Sequence, residues 1–121
     1  MQADDVRRVV LALPEATEEP HFDMTSYRVR GKIFATLPAE GDRLHIFVDE
    51  DDTRAAVAEH PDVFAELWWG QRLSGVRVAL AGADPAAVGE LLEEAWRRRA
   101  AKRLLVQHDA DRAAGVAAPE A

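Results

Sequence analysis

Residues 26–37, SYRVRGKIFATL, constrain the fold of this chain more than any other segment does. Apolar and polar side chains alternate on both sides of a glycine-lysine pair, which is the pattern of a β-hairpin with a two-residue turn. The alternation predicts that Tyr27 and Val29 lie on one face of a sheet. Arg28 and Arg30 would then lie on the other face. The segment therefore predicts an antiparallel hairpin with one basic face.

This hairpin is basic, whereas the chain as a whole is acidic. Arg28, Arg30 and Lys32 lie close together, but the chain carries 22 acidic against 15 basic residues and a formal net charge of −7. A negative net charge disfavours a high-affinity DNA binder, because nonspecific affinity comes mainly from cations that release phosphate counterions. The three cations are therefore either a basic wing for an anionic partner or an ordinary solvated sheet face.

Length and composition exclude several classes of protein. A chain of 121 residues fits one domain with a single core, and the absence of cysteine excludes disulfides, thiolate metal sites and a cysteine nucleophile. The sequence contains no secretory signal pattern and no apolar run of about 20 residues that could span a bilayer. We therefore expect a cytoplasmic protein that has no membrane contact.

The first half of the chain predicts a helix followed by strands. Apolar residues at spacings of three and four predict a helix over residues 3–13 that ends near Pro14. Residues 15–25 are polar and acidic, and we interpret them as a connection. Alternation predicts another strand over residues 43–48, so that this strand and the hairpin form three consecutive antiparallel strands.

Four consecutive acids at residues 49–52 precede a short helical pattern that Pro61 ends. Asp52 or Thr53 can cap this helix, and the other carboxylates favour the positive end of its dipole. Clustered carboxylates also suit a hard cation, but consecutive acids lack the alternate spacing and the glycine of a calcium loop. We adopt the capping interpretation and predict no metal ligand and no cofactor.

The second half of the chain predicts a further strand and a long helix. Residues 63–69 fit either a helix or a strand, whereas residues 75–81 alternate as a strand. Asp84 as the cap and Pro85 at the first helical position then mark the start of a helix.

The end of this helix raises a problem of charge. On one continuous helix, Arg99, Lys102 and Arg103 would fall on the apolar sector, so we predict a break near Ala100. The final residues are rich in alanine, aspartate, glycine and proline. We predict a single domain over residues 1–106 and a frayed tail over 107–121.

The order of these pieces resembles the MmcQ/YjbR family. The matching segments are LP at 13–14, HF at 21–22, RVRGKIFA at 28–35, WG at 69–70, VRVAL at 76–80, LL at 91–92, AWR at 95–97 and KRL at 102–104. The resemblance implies an α+β fold similar to the bacterial frataxin-like (CyaY-like) proteins, a two-layer sandwich with helices packed on one face of an antiparallel β-sheet. It also implies a DNA-binding protein of a double-wing type.

The candidate nucleic-acid-binding residues are cations from three clusters and from the strand next to the hairpin. They are Arg28, Arg30, Lys32, Arg43, Arg72, Arg77, Arg97, Arg98, Lys102 and Arg103, with Arg99 in the same run. We expect weak contacts, without sequence preference, to the phosphate backbone of double-stranded DNA. For the run at 97–103, the alternative is that cations near a helix C-terminus complement the helix dipole. One shared surface requires that the fold bring the clusters together.

Two adjacent tryptophans indicate a different function. Trp68 and Trp69 cannot both point inward from a strand, so one of them is expected to be exposed or to cover a groove. An exposed tryptophan beside Arg72 is typical of a ligand or partner site, and aromatic rings also stack on the bases of single strands. The alternative function is therefore a protein or small-molecule interaction module.

Neither function is enzymatic. The sequence contains no nucleophile elbow, no phosphate-binding glycine loop and no histidine pair at metal-ligand spacing. The chain therefore shows no chemical centre for catalysis, and we predict no catalytic residue.

Overall fold

The computed structural model describes residues 1–115, in which six strands form one antiparallel sheet. The strands are β1 (Thr17–His21), β2 (Met24–Val29), β3 (Lys32–Leu37), β4 (Arg43–Ile46), β5 (Phe64–Trp69) and β6 (Arg72–Ala79). Their order across the sheet is β1-β2-β3-β4-β6-β5. Three of the connections are tight turns of two residues, at 22–23, 30–31 and 70–71.

Helices cover one face of this sheet. They are α1 (Ala3–Leu11), α2 (Glu50–Glu59), α3 (Pro85–Arg99) and α4 (Lys102–Ala113), with a short 3₁₀ turn over Leu80–Gly82. α3 packs on β2, β3 and β4, while α2 packs on β5 and β6, and α1 packs on β1. The predicted two-layer α+β sandwich is confirmed. Within residues 1–115, no helix combines the length and the apolar character needed to cross a membrane.

The core lies between the sheet and the helices, where alternation directs the apolar side chains. Tyr27, Ala35, Ile46 and Val76 are neighbours in one row across four strands, and each is at most 1% exposed. Trp96 of α3 is completely buried in the same core cluster. Burying each large apolar side chain contributes about 1.5–3 kcal/mol. Val29, predicted to share a sheet face with Tyr27, is completely buried as well.

The turn of the central hairpin lies one residue earlier than predicted. Val29 pairs with Lys32, so the turn residues are Arg30 and Gly31 rather than the glycine and the lysine. Arg30 and Gly31 have φ values of 55° and 72°, as a type I′ turn requires. This turn matches the right-handed twist of the two strands. Arg30 is consequently exposed at the tip of the hairpin instead of sharing a strand face with Arg28.

The prediction of a connection over residues 15–25 is wrong. Thr17–His21 form the edge strand β1, which pairs with β2 along its whole length. The segment TEEPH shows no alternation, because most of its side chains are exposed and pairing with β2 holds it in place. Pro20 is compatible with this position, since an edge strand leaves one row of backbone N–H groups without ladder partners.

Helix α2 begins earlier than its sequence predicts. Asp49 is the N-cap, and its Oδ1 accepts a hydrogen bond from the backbone N–H of Asp52 at 2.8 Å. Thr53 lies one turn inside the helix, where its hydroxyl donates to the carbonyl oxygen of Asp49. The capping interpretation of the acidic run is confirmed, but the cap is Asp49 rather than Asp52 or Thr53. Asp84 caps α3 as predicted, accepting from the N–H of Ala86.

The ambiguous residues 63–69 form strand β5, and β6 begins at Arg72, before the predicted residue 75. The predicted break near Ala100 is confirmed, because Ala100 and Ala101 have extended backbone between α3 and α4. These two extended residues change the direction of the chain between the helices. Lys102 and Arg103 therefore do not lie on the apolar sector of α3.

The predicted frayed tail is wrong as far as Ala113, where α4 ends. Arg112 of α4 forms an ion pair of 2.7 Å with Glu93 of α3, and the ring of His108 packs edge-on against Trp96. These contacts join residues far apart in sequence, which a composition argument cannot detect. Residues 116–121 of the predicted tail lie outside the described part of the chain.

Candidate nucleic-acid interface

Two hairpin turns lie at the same end of the sheet. Because every neighbouring pair of strands is antiparallel, β2, β4 and β5 run in one direction and their C-terminal ends coincide. The turn at 30–31 follows β2, and the turn at 70–71 follows β5. We call this end of the sheet, which is defined by those two turns, the two-hairpin end. Two loops that are distant in sequence therefore face the same side of the molecule.

A cleft of 410 Å³ lies at the two-hairpin end. Its basic residues are Arg72 at the start of β6 and Arg98 and Arg99 at the end of α3, and its rim includes Trp69. We call it the arginine–tryptophan cleft, defined by these four residues. Its volume falls within the range of about 300–1,000 Å³ that is usual for ligand pockets.

Arg98 fixes the end of α3 to the end of β4. Its Nη1 donates a hydrogen bond of 2.8 Å to the carbonyl oxygen of Phe47, the residue that follows β4. The N–H of Phe47 in turn donates to the carbonyl oxygen of Phe34 in β3. A guanidinium near a helix C-terminus also complements the helix dipole. Arg98 therefore has a structural contact and lines the cleft at the same time.

The cations of the chain divide according to whether a carboxylate neutralises them. Ion pairs with described carboxylates engage Arg7, Arg8, Arg43, Arg54, Arg97, Arg103 and Arg112. Within residues 1–115, those that form no ion pair with a described carboxylate are Arg28, Arg30, Lys32, Arg72, Arg77, Arg98, Arg99 and Lys102. Five of this second group lie at the two-hairpin end, namely Arg30, Lys32, Arg72, Arg98 and Arg99.

Two predicted binding residues of the run at 97–103 are instead neutralised within the protein. Arg97 pairs with Glu93 and with Asp109, and its side chain is only 25% exposed. These contacts raise the pKa of Arg97 and lower the pKa of Asp109, chiefly through their mutual hydrogen bond. Arg103 pairs with Glu15 at 3.1 Å. The part of the run formed by Arg97 and Arg103 therefore holds α4 against its neighbours.

Four other predicted cations lie away from the cleft. Arg43 begins β4 at the opposite end of the sheet, and Arg77 lies in the middle of β6 on the face that the helices leave open. Arg28 is half-buried and donates from Nε to the hydroxyl of Ser26 at 2.9 Å. Lys102 is exposed at the first turn of α4. The fold therefore gathers the sequence clusters only in part.

His45 lies between two of these cations on the open face. It pairs with Arg77 across β4 and β6, and Arg43 precedes it by two residues on the same strand face. Burial lowers the pKa of His45, and the charges of Arg43 and Arg77 lower it further. His45 is therefore held in its neutral form below the pH at which a free histidine becomes charged.

Replacing His45 by glutamine is expected to change the pH dependence of stability. Because the folded protein binds this proton less readily than the unfolded chain, the free energy of unfolding falls as the pH drops below the ordinary value of 6.5. The fall stops below the lowered pKa. Urea titrations at about pH 7 and about pH 5 should show the variant gaining stability relative to the wild type at the lower pH. A constant difference would contradict the assignment.

Both adjacent tryptophans are exposed, Trp68 by 47% and Trp69 by 73%. The register of β5 against β6 shifts between Leu67 and Trp68, where Ser74 of β6 has no partner in β5. Trp69 lines the arginine–tryptophan cleft, as the predicted groove requires. Trp68 is not among the lining residues, and its indole N–H donates to Glu66 at 3.1 Å. The predicted groove therefore contains one of the two tryptophans.

Some lining residues were not predicted from the sequence. Phe47 follows β4, while Asp49 and Glu50 belong to the acidic run at the start of α2. Burial raises the pKa of Asp52 in this run, neighbouring Asp49 raises it further, and Arg98 opposes them. Only the tertiary contact with Arg98 reveals that the acidic run lies beside cations. Within residues 1–115, no group of three or more histidines and carboxylates is arranged to hold a metal ion.

This chain is similar to a known protein family and to a solved protein structure. A family model described as YjbR matches residues 11–98, which run from the end of α1 to the last turn of α3 and include both hairpins. The crystal structure of Deinococcus radiodurans protein DR2400, described with the family-model domain DUF419, is similar with a TM-score of 0.68. The two chains are 27% identical, and the match covers 78% of this chain and 76% of the other. No curated protein matches this chain.

Proposed function

We propose that this chain, which belongs to the YjbR family, binds DNA by contacting its phosphate backbone with the two-hairpin end. The observation that supports the proposal is the convergence of Arg30, Lys32, Arg72, Arg98 and Arg99 from three separate segments. None of the five is paired with a described carboxylate. Cations that no internal carboxylate neutralises are available to release counterions from a phosphate backbone.

The proposed binding is weak and independent of sequence. Phosphate contacts fix the position of a protein on a duplex but read no base, and nonspecific dissociation constants are typically about 10⁻⁴–10⁻⁶ M. Acidic residues elsewhere add repulsion. A separate groove between α2 and α3 is lined by Asp52, Glu59, Glu90 and Glu94. This acidic side would turn away from DNA and so orient the two-hairpin end towards the duplex. We propose accordingly that the protein acts in the bacterial cytoplasm and is not an enzyme.

Replacing Lys32 and Arg72 together by glutamine tests the proposal. These residues come from different hairpins, and neither forms an ion pair with a described residue, so their removal should leave the fold unchanged. Each lost phosphate contact reduces the slope of log affinity against log salt by about one. The double variant should therefore bind a duplex more weakly at low salt, with a slope smaller by about two units. Fluorescence anisotropy of a labelled duplex over a salt series measures both quantities.

The matched control changes Arg8 and Arg103 to glutamine. It removes the same total charge, and the side chains are 75% and 70% exposed, but each already pairs with a carboxylate. The control should keep the wild-type salt slope. Equal effects of the two double variants would mean that only net charge matters, and an affinity that does not fall with salt would overturn the phosphate-contact mechanism.

A second candidate function is a protein or small-molecule interaction module. It is supported by the arginine–tryptophan cleft, whose 410 Å³ would hold a small anionic ligand beside Trp69. Under this alternative, a partner would change the tryptophan fluorescence of the protein while duplex DNA would not. The salt series on the wild type therefore separates the two candidate functions.

A further inference from the structure

We infer that the arginine–tryptophan cleft accepts an unpaired base of a single strand, stacked on Trp69, while the cations around it hold the flanking phosphates. The inference rests on the proposed function and adds, to the phosphate contacts with a duplex, a site for strands with accessible bases. A base inside a duplex is stacked and paired, so it cannot enter a cleft of 410 Å³ without leaving the helix.

Trp69 is the first reason for this inference. Its side chain is 73% exposed at the end of β5, next to the turn at 70–71, although indoles usually bury much of their area. Trp68 beside it is exposed as well, and the register of β5 against β6 shifts just before this pair. An exposed indole beside Arg72 matches the way in which proteins bind single strands, with aromatic stacking platforms next to cations.

The acids of the cleft are the second reason. Asp49 and Glu50 line it together with the arginines, so these two carboxylates would repel a phosphate placed beside them. A base has no such charge, and its exocyclic amino group donates hydrogen bonds that a carboxylate accepts. Glu50 uses Oε1 for its pair with Arg54 at 3.0 Å, and its Oε2 forms no hydrogen bond with a described residue. A cleft lined by both carboxylates and arginines fits an uncharged base flanked by phosphates.

The rigidity of the cleft is the third reason. Arg98 is held by the carbonyl oxygen of Phe47, and Asp49 is held by the N–H of Asp52. Polar groups that are already fixed lose little conformational freedom when a ligand arrives. Arg98 and Asp49 are thus in place before the base enters, whereas the exposed side chains of Trp69 and Arg72 become ordered when it binds.

Three oligonucleotide probes test the inference: single-stranded oligo-dC, single-stranded oligo-dT and a mixed-sequence duplex. Wild-type protein should bind oligo-dC more tightly than oligo-dT, because cytosine presents an amino donor where thymine presents a carbonyl acceptor. Trp69→Ala should weaken binding of oligo-dC by about 5- to 150-fold, since alanine substitution of a stacking residue has effects of this size. Trp69→Phe should retain most of the binding. Duplex binding by Trp69→Ala should change by less than about twofold.

Trp68→Ala is the matched control, since it removes an adjacent exposed indole that does not line the cleft. It should leave oligo-dC binding close to that of the wild type. Glu50→Gln should reduce the preference for oligo-dC over oligo-dT. Thermal unfolding should show similar stability for Trp69→Ala and the wild type, which excludes a general loss of structure.

The outcomes separate this inference from the proposed function. If Lys32→Gln with Arg72→Gln weakens binding of every probe but Trp69→Ala weakens none, the base-binding cleft is overturned and the phosphate contacts stand. Equal losses of oligo-dC and duplex binding by Trp69→Ala would also overturn it. If wild-type protein binds no probe at low salt, the inference and the proposed function both fail.

Discussion

Replacing Trp96 by alanine is expected to lower the free energy of unfolding by about 3–5 kcal/mol, the usual cost of truncating a buried aromatic residue. The side chain is completely buried, and its indole N–H donates to the carbonyl oxygen of Pro14 at 3.0 Å. Its ring also packs against His108 with centroids 5.0 Å apart. Trp96 thereby joins α3 to the segment before β1 and to α4.

A loss of this size would remove much of the stability of a small domain, which is typically about 5–15 kcal/mol. Urea unfolding followed by circular dichroism measures it without depending on tryptophan emission. Trp69→Ala is the control, because that side chain is exposed and should cost little. Trp96→Phe should fall between them, since it keeps a smaller aromatic ring but leaves the carbonyl of Pro14 without its donor, at a cost of about 1–3 kcal/mol. Equal stabilities of the two alanine variants would contradict the burial of Trp96.

Replacing Gly75 by alanine is expected to destabilise the protein by about 3 kcal/mol, near the upper end of the usual cost of overpacking. A Cβ at this position would lie 2.1 Å from the carbonyl oxygen of Ile46 and 3.0 Å from Cα of Phe47. Both are backbone atoms, one in the last residue of β4 and one in the residue that follows it. Removing the clash therefore requires β4 and β6 to separate. The carbonyl of Phe47 also holds Arg98, and its displacement would deform the arginine–tryptophan cleft.

Gly89→Ala makes the same chemical change with the opposite expected sign. Gly89 lies inside α3, and its added Cβ would meet only Val9, at an ordinary distance of 4.0 Å. Alanine at a compatible helical site stabilises a protein by about 0.4–1 kcal/mol, because it restricts the unfolded chain. Urea unfolding of the two variants should therefore give shifts on opposite sides of the wild type. Stability of Gly75→Ala equal to that of the wild type would contradict the close approach of β4 and β6.

Much of the fold could be predicted where a local pattern is sufficient. Tyr27 and Val29 are buried as their alternation predicts, and Asp84 caps α3. The break at Ala100 could be predicted because the alternative would have placed cations on an apolar helix sector. Each of these features depends on residues a few positions apart, so their periodicity and chemistry are visible in the sequence.

Other elements could not be predicted, because their stability comes from distant partners. Strand β1 contains two glutamates and a proline and exists through pairing with β2. Helix α4 has no clear apolar face, but Arg112 reaches Glu93 and His108 packs on Trp96. Composition predicted fraying from residue 107 onwards, which includes the second half of α4, because composition does not reveal contacts between helices.

The basic hairpin and the acidic net charge were determined by the sequence alone, and so was the presence of three cation clusters. Only the tertiary structure decided which of these cations form an ion pair with a carboxylate. Arg103 is neutralised by Glu15, a residue 88 positions away, whereas Arg98 bonds to the backbone of Phe47 and keeps its charge beside the cleft. Ion pairing depends on distances of a few ångströms between side chains, and those distances exist only after the strands and helices have packed.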